Sequence, residues 1–547
     1  MTTYNYLKLT GCLLIASCVS FGAAAQQANP APETTDATAG YVVSQNNSPA
    51  SIERIKVENL HFSHSENASS IQLDPIGYYS EASLGLDREK GSLKRVQEGA
   101  DNTAYNFSTD GGGRLAGLRD MYVWGRFSYT RKNLKDAQYN ATLFDPLRGT
   151  PFYVADPNKS KWINQLFDME VKAASPVLWK RVVFGVGLNY QNGQAAKQLD
   201  PRPLTTVSKF DIKPGITVLL GEKHALGGYY RYYSRREDGN ASNSVSLVYQ
   251  TAYVMNFPGF FIANEIGPLS GDSQRIYNAN CMGGGGEYTF RSDAVQILLS
   301  GNYSQEVEDV TNSYTTPKMT GTTIDERYSI ALNTSFKLSP ANALFVNLSY
   351  DNRSIDGIQY VQEYDNSFEV AKWIIKSKSI RSNSSSAYVR GSLQYMRTTR
   401  QNAYDWTVGV DLVSEKLDDI YYFPRSTQNV KNFSAKIFGR KNFIIGSRHS
   451  LLVGLNAAMK SNSDSAIDYN GGKADTECYQ DFTLRDFYSL GTGYTAFGAE
   501  ITYALSEIFG PRGSLFVAAA TDYFKAKDHK DLFNDRLLAS FKVGFMF

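Results

Sequence analysis

The sequence predicts an all-β fold: a single transmembrane antiparallel β-barrel of about 18 strands, 16 on the narrowest count, with short periplasmic turns and long extracellular loops. Three observations predict it. From residue 79 to the last residue, segments of about 9–13 residues alternate apolar and polar side chains, the period of a strand with one face in each medium. Short and long connections between these segments fall at opposite ends. Aromatic residues reach 13%, with 36 Tyr and 30 Phe, yet no stretch beyond the N-terminus has the roughly 18 apolar residues of a spanning helix. A soluble all-β protein has shorter strands, of about 5–6 residues, and no continuous apolar outer face.

In chain order, residues 1–25 read as a signal peptide. Lys8 gives the positive charge, Leu9–Ala25 the apolar and small run, and Ala23-Ala24-Ala25 the cleavage site before Gln26. Ile15-Ala16-Ser17-Cys18 also fits a lipoprotein box with Cys18 as the lipidated residue. Residues 26–75 form a polar N-terminal segment, either a periplasmic arm or a small hatch. Residues 76–547 form the barrel.

Strands are expected to start near 79, 104, 121, 166, 182, 206, 225, 283, 294, 325, 343, 385, 405, 428, 449, 494, 512 and 536. In the last, Leu537, Ala539, Phe541, Val543, Phe545 and Phe547 share a face opposite Arg536, Ser540, Lys542 and Gly544; Leu538 and Met546 are exceptions. In segment 449–460 the alternation assigns Val453 to lipid and Asn456 to the interior. Tight turns fall at 221–224, 338–342 and 508–511; long links are expected at 132–165, 236–282, 353–384 and 461–493. An even strand number puts both termini in the periplasm.

The interior charge pattern is mixed: Arg231, Arg235, Arg327, Arg390, Lys213, Lys436 and Lys542 against Asp168, Glu170, Asp211, Asp351, Asp411 and Glu500. Such charges are expected to pair across the lumen, whereas a single-sign ring would argue for ion selectivity. The net charge of +2 gives no basic track for nucleic acid. Of the five histidines, His61 and His64 precede the barrel, His224 and His449 fall in turns, and His529 in a loop. None is placed beside a serine as a catalytic base, so no enzyme, cofactor or metal site is expected; extended, His61 and His64 point to opposite sides. The roughly 50 residues before the first strand are too few for the plug domain of a 22-stranded transporter.

The 236–282 link has an apolar centre, Ala252–Ile262. Tyr253, Phe257, Phe260 and Phe261 mark it as a partner-binding or constriction loop. Gly283–Gly286 lack the strand–loop–helix context of a phosphate loop and point instead to close approach of another segment. Cys281 and Cys478 fall on the same side of the barrel and are candidates for a disulfide.

The last strand, Ala539–Phe547, resembles the C-terminal assembly signal of outer-membrane proteins, which ends in an aromatic residue, here Phe547; it implies the barrel-assembly machinery as a partner. With Tyr79-Ser80-Glu81-Ala82, Arg95-Val96-Gln97-Glu98-Gly99, Phe107-Ser108-Thr109 and Phe127-Ser128-Tyr129, residues 70–547 resemble a family of Bacteroidota outer-membrane barrels catalogued as a domain of unknown function. That resemblance implies outer-membrane lipid as the solvent. It also implies an accessory role in iron-chelate (xenosiderophore) uptake beside a TonB-dependent receptor and a surface lipoprotein. Asn46-Asn47-Ser48-Pro49-Ala50 resembles the Asn-Pro-Ala hatch element of fatty-acid and hydrocarbon channels, with Ser48 interposed; a polar turn is the simpler reading. The alternative function is thus a passive channel for small or hydrophobic solutes.

Overall fold

The computed structural model describes residues 48–547, apart from 75, 116–119, 246, 268–272, 315, 368–370, 399–402 and 509–512. The predicted leader, Cys18, Asn46, Asn47 and the centre of the 508–511 turn lie outside the described residues.

The chain begins with helices α1 (Pro49–Glu58) and α2 (Leu60–His64) and a 3-10 turn, Ala68–Gln72. The strands follow: β1 (Tyr79–Gly91), β2 (Asp101–Leu115), β3 (Met121–Ala137), β4 (Tyr153–Ala155), β5 (Ser160–Ala174), β6 (Val182–Lys197), β7 (Arg202–Leu219), β8 (His224–Ser242), β9 (Gln250–Phe257) and β10 (Phe260–Ile266). Next come β11 (Gln274–Arg291), β12 (Val295–Thr311), β13 (Met319–Ser339), β14 (Asn342–Asp365), β15 (Lys372–Thr398), β16 (Tyr404–Tyr421), β17 (Ser426–Ile445) and β18 (His449–Asp468). A π-helical turn, Cys478–Leu484, runs into α3 (Arg485–Gly491), and β19 (Tyr494–Ser506), β20 (Ser514–Ala526) and β21 (Asp535–Met546) complete the chain.

Eighteen strands form one antiparallel sheet, and β1 pairs with both β2 and β21, which closes it into a barrel. Closure leaves the wall of the barrel without an edge strand, the condition for a sheet in a medium without water. The remaining three, β4, β9 and β10, make a separate small sheet.

The two faces follow the alternation. Leu455 (65% exposed) and Met459 point outward on β18, while Asn456 turns inward and donates to Asp522 at 3.1 Å. Leu84, Phe184, Ile330, Phe497 and Phe541 are likewise exposed on their strands. On β21, Arg536 and Lys542 point inward to Glu89 and Glu81. The exception Met546 is buried against the N-terminal segment, in a cluster with Ile52, Ile71, Trp124 and Phe516.

Three expectations are corrected. The link at 353–384 is mostly strand, since β14 runs for 24 residues and β15 for 27. Both faces of their outer halves meet water, so the one-sided apolar period is lost there. The glycine-rich strand begins at Gln274, not near 283. In its first turns the polarity is inverted: Tyr277, Ala279 and Cys281 are buried inside while Asn278 and Asn280 are exposed. Finally, Ser48 is not in a plain polar turn. It caps α1 in a reciprocal capping box with Ser51, with Pro49 at the first helical position.

Candidate functional site

The lumen is crossed by chain at both ends, and a polar chamber lies along it. At the short-turn end, residues 48–74 and Ile76 sit inside the barrel as a hatch. Its apolar side chains meet inward apolar residues at the strand ends. Ala50 joins Phe345, Met396, Tyr404 and Leu452 in one cluster, and Ile52, Ile71 and Ile76 join Tyr122, Val183 and Met546 in another.

Its centre is polar yet buried. Ser65, Asn67, Ser69 and Ser70 are at most 4% exposed. Asn67 Nδ2 donates to Glu287, Thr217 and the Ile216 carbonyl, and Ser69 shares a 2.7 Å hydrogen bond with Thr217. Buried polar groups persist where each finds a partner. Glycines on the wall make room: a Cβ on Gly185 would lie 2.2 Å from the Ser69 backbone nitrogen, and one on Gly215 2.1 Å from Asn67 Oδ1. Charged contacts complete the docking. Glu53 takes Arg440 and, at 2.8 Å, Tyr404; Lys56 reaches Asp110 at 3.3 Å; Glu66 pairs with Lys213.

His61 is buried in the hatch, with Nδ1 2.6 Å from Asp74 and Nε2 2.8 Å from Thr289. Arg291 also pairs with Asp74. Burial, first, and the Arg291 charge push the imidazole down to about 4, against the opposing pull of Glu287. The neutral ring fits both partners: Nδ1–H donates to Asp74 and Nε2 accepts from the Thr289 hydroxyl. His64, on the same short helix, is exposed.

At the long-loop end, three connections fold over the mouth as a cap. The small sheet pairs β4 with β9 and β9 with β10. Its core holds Tyr139, Leu143, Phe152, Tyr253, Met255, Phe261, Cys478 and Phe482. Tyr139 stacks on Phe482 at 4.8 Å, and Phe260 on Tyr421 of β16 at 3.8 Å. The cap is pinned to the wall by Arg148, which reaches Glu237 at 2.9 Å and Glu308 at 3.0 Å; Glu308 also receives Arg235 at 2.9 Å. Both carboxylates are at most 2% exposed.

The four aromatics expected in a partner or constriction loop pack within the cap and against the wall at the barrel's mouth. Tyr253, Phe257 and Phe261 are buried, and Phe260 packs on Tyr421 and Tyr469. Cys281 and Cys478 are both free thiols, so the bridge between them does not form. Cys281 is fixed on β11 opposite Tyr233, whereas Cys478 belongs to the cap core, where burial pushes its thiol up to about 12. Gly283–Gly286 lie within β11, and what crosses them is side chain: Tyr229 and Asn302, from the strands on either side, join by a 2.8 Å hydrogen bond. His224 and His449, at the strand ends, bond to Tyr288 and Tyr503, and His529 stacks near Tyr488.

Above the hatch, a cavity of about 470 Å³ is lined by Glu66, Tyr229, Arg231, Arg327, Asp351, Arg353, Tyr388 and Arg390 among others. Among the described residues, interior charges do pair, but along the wall between near-neighbour strands and not across the lumen, which leaves the chamber open. Arg231 holds Asp211 at 2.6 Å, Arg390 holds Asp351, Arg126 reaches Glu170, and Arg440 holds Glu500. Sequence reasoning missed Arg353 and Asp325, and it missed the docking contacts of the hatch. The available signal was inward apolar residues at strand ends, such as Leu452 and Met546, which break the alternation where the hatch packs.

A family model described as a family of unknown function, DUF6850, matches residues 68–547. No curated protein matches the sequence. Among solved structures, the ferric preacinetobactin receptor BauA from Acinetobacter baumannii is 8% identical, with 85% of this chain and 80% of that one covered and a TM-score of 0.37. The outer membrane transporter YddB from Escherichia coli is also 8% identical, at 85% and 81% coverage and a TM-score of 0.38. A mutant of TodX, a monoaromatic hydrocarbon channel, is 9% identical, covering 88% and 92%, with a TM-score of 0.31.

Proposed function

The chain belongs to the DUF6850 family of unknown function, and from that premise we propose that it is a gated outer-membrane channel for small polar solutes. The exposed apolar belt is the lipid-facing wall, because such a surface is costly in water and matched by hydrocarbon. The short-turn end, with the start of β1 and the end of β21, then faces the periplasm, and the cap faces outward. His224 with Tyr288 and His449 with Tyr503 fall at the periplasmic rim, where amphipathic rings suit the headgroup layer.

The observation that carries this proposal is the hatch. Its buried centre, Ser65–Ser70, is held to the wall by hydrogen bonds. Water can take over each of those bonds when the hatch leaves, so its polar centre adds little to the cost of undocking. The lumen beyond it is polar and ionic, suited to hydrated solutes. The test is conductance in planar bilayers for the wild type and for a variant lacking residues 48–74. A large rise on deletion supports gating by the hatch. Equal, negligible currents in both would reject the channel.

One observation favours a second reading, an interaction subunit. Among the described residues, the register of β14 with β13 ends at Ile358, and that of β15 with β16 begins at Ser382. The outer halves of β14 and β15 thus project as a two-stranded ribbon, with Val361, Tyr364, Ile375 and Ile380 exposed. Open edges accept another chain. A TonB-dependent receptor or surface lipoprotein in iron-chelate uptake is the partner this reading names. Shortening the ribbon by residues 360–380 should then abolish co-purification of that partner from native membranes and leave conductance unchanged; retained co-purification would reject it.

A further inference from the structure

We propose that the lumenal chamber is a binding site for a small di- or tricarboxylate, and that Glu66 of the hatch occupies it in the docked state as a stand-in for that ligand. The link from ligand to opening rests on the channel reading; the binding site does not.

Four guanidinium groups line the cavity: Arg231 from β8, Arg327 from β13, Arg353 from β14 and Arg390 from β15. Arg327 and Arg353 are direct cross-strand partners. Like charges so placed repel unless an anion lies between them. Asp325 is that anion, and it serves both: 2.6 Å from Arg327 and 2.8 Å from Arg353. One carboxylate for two guanidiniums leaves a positive charge in excess.

The charges are also layered. Asp211 and Asp325 are buried, at 3% and 1% exposure, behind guanidiniums that are 27–49% exposed toward the lumen. Arg231 and Arg327 each use Nε and Nη2 on those acids, so the Nη1 edge stays available. A guanidinium edge fits a carboxylate in plane with two parallel hydrogen bonds. The two carboxylates that line the cavity, Asp351 and Glu66, show which anion this cradle accepts. The cavity's size, about 470 Å³, lies within the roughly 300–1,000 Å³ of small-molecule sites.

Glu66 reaches the cavity from the hatch, not from the wall. Burial pushes its carboxyl up, but Lys213 beside it, with Lys172 and Arg231 farther off, outweighs that and holds it below the ordinary carboxylate range. The position therefore favours an anion. An incoming carboxylate takes up the positive field of Arg231 that also steadies Glu66, and so loosens the Glu66–Lys213 contact of the hatch. Occupancy of the chamber thereby weakens docking.

The test is equilibrium binding of succinate to the full mature chain in detergent micelles, with putrescine and inorganic phosphate as comparison probes. No conduction is needed, so intact binding in a silent barrel would fail the channel reading alone. Succinate should bind, and putrescine should not. Glu66→Gln should tighten succinate about five- to tenfold, because the neutral amide competes less, and Arg390→Gln should weaken it about tenfold. Gel mobility before and after heating checks that each variant is folded. If Arg390→Gln fails to fold, Glu66→Gln and the probe comparison still decide. Absent succinate binding, equal binding of putrescine, or tighter binding of phosphate would overturn the site. Unchanged or weaker binding in Glu66→Gln would overturn the stand-in role.

Discussion

The hatch and the cap cover opposite ends of one barrel, and both carry apolar clusters and ion pairs, but they differ at their centres. The cap has a small core of its own, with Tyr139, Tyr253, Met255, Phe261 and Phe482 packed together and two glutamates held by Arg148. Apolar packing and buried ion pairs have no cheap substitute in water, so such a structure stays in place. The hatch buries Ser65, Asn67, Ser69 and Ser70 against glycines and hydroxyls of the wall. Each of those contacts exchanges for water at a net cost of about 1 kcal/mol. In the channel we propose, the end with the polar centre is the moving part and the cap the fixed one.

Changes to the cap should cost the most stability. Arg148→Ala leaves Glu237 only the Phe144 N–H and Arg235 at 3.9 Å, and leaves Glu308 only Arg235, in a buried site; removing one partner of a buried pair costs about 3–5 kcal/mol. Limited proteolysis should then cut within 138–159 much faster, while the barrel keeps its heat-modifiable gel mobility. Phe482→Ala removes the ring stacked on Tyr139 and should cost about 3 kcal/mol, read in the same assay. A protease pattern unchanged in both would mean that the cap is not a core of its own.

The hatch should respond to pH. His61 is neutral when docked, its imidazole lowered from 6.5 to about 4. The undocked ring takes up a proton first as pH falls, so docking is strongest above about 6.5. It weakens progressively toward about 4, by up to about 3 kcal/mol, and then levels off. Hydrogen exchange of residues 48–76 between pH 7 and 4 measures this. His61→Gln should flatten the profile, and an equal slope in that variant would assign the effect elsewhere. Smaller still is Gly185→Val, whose Cβ meets the Ser69 backbone. Overpacking of this kind costs about 1–3 kcal/mol. It should raise conductance without altering cap proteolysis; the opposite pattern would reverse the roles of the two ends.

Much of the barrel was legible because one physical rule, apolar out and polar in, governs each strand at membrane height. Val453 and Asn456 fall on the faces their parity assigns. The rule fails where its cause is missing. Above the membrane, Tyr277 and Ala279 face a cap core while Asn278 and Asn280 face water, so the start of β11 reads inverted. The outer halves of β14 and β15 have water on both faces and show no one-sided period. The cap announced itself as an apolar run, Ala252–Ile262. The hatch was legible only as one of two readings of residues 26–75, because a stretch such as Ser65-Glu66-Asn67-Ala68-Ser69-Ser70 is what a solvated linker would also show. Only its counterparts on the wall, Leu452 and Met546, carried a trace. The arginine cluster was half visible: Arg231, Arg327 and Arg390 fell on inward positions, but their convergence depends on a register that spacing alone leaves open.

The most direct test of gating by the hatch is a reversible lock. The Ala68 Cβ lies 3.9 Å from where a Cβ on Gly187 would stand, inside the roughly 3.5–4.5 Å range of a disulfide. Ala68→Cys with Gly187→Cys should therefore tie hatch to wall, while Cys281 and Cys478 stay buried. Current through this variant is recorded in planar bilayers, oxidised and then reduced on the same membrane. The account predicts silence when oxidised and openings at the wild-type level after reduction. Equal currents in the two states, with the crosslink verified by mass spectrometry, would contradict it.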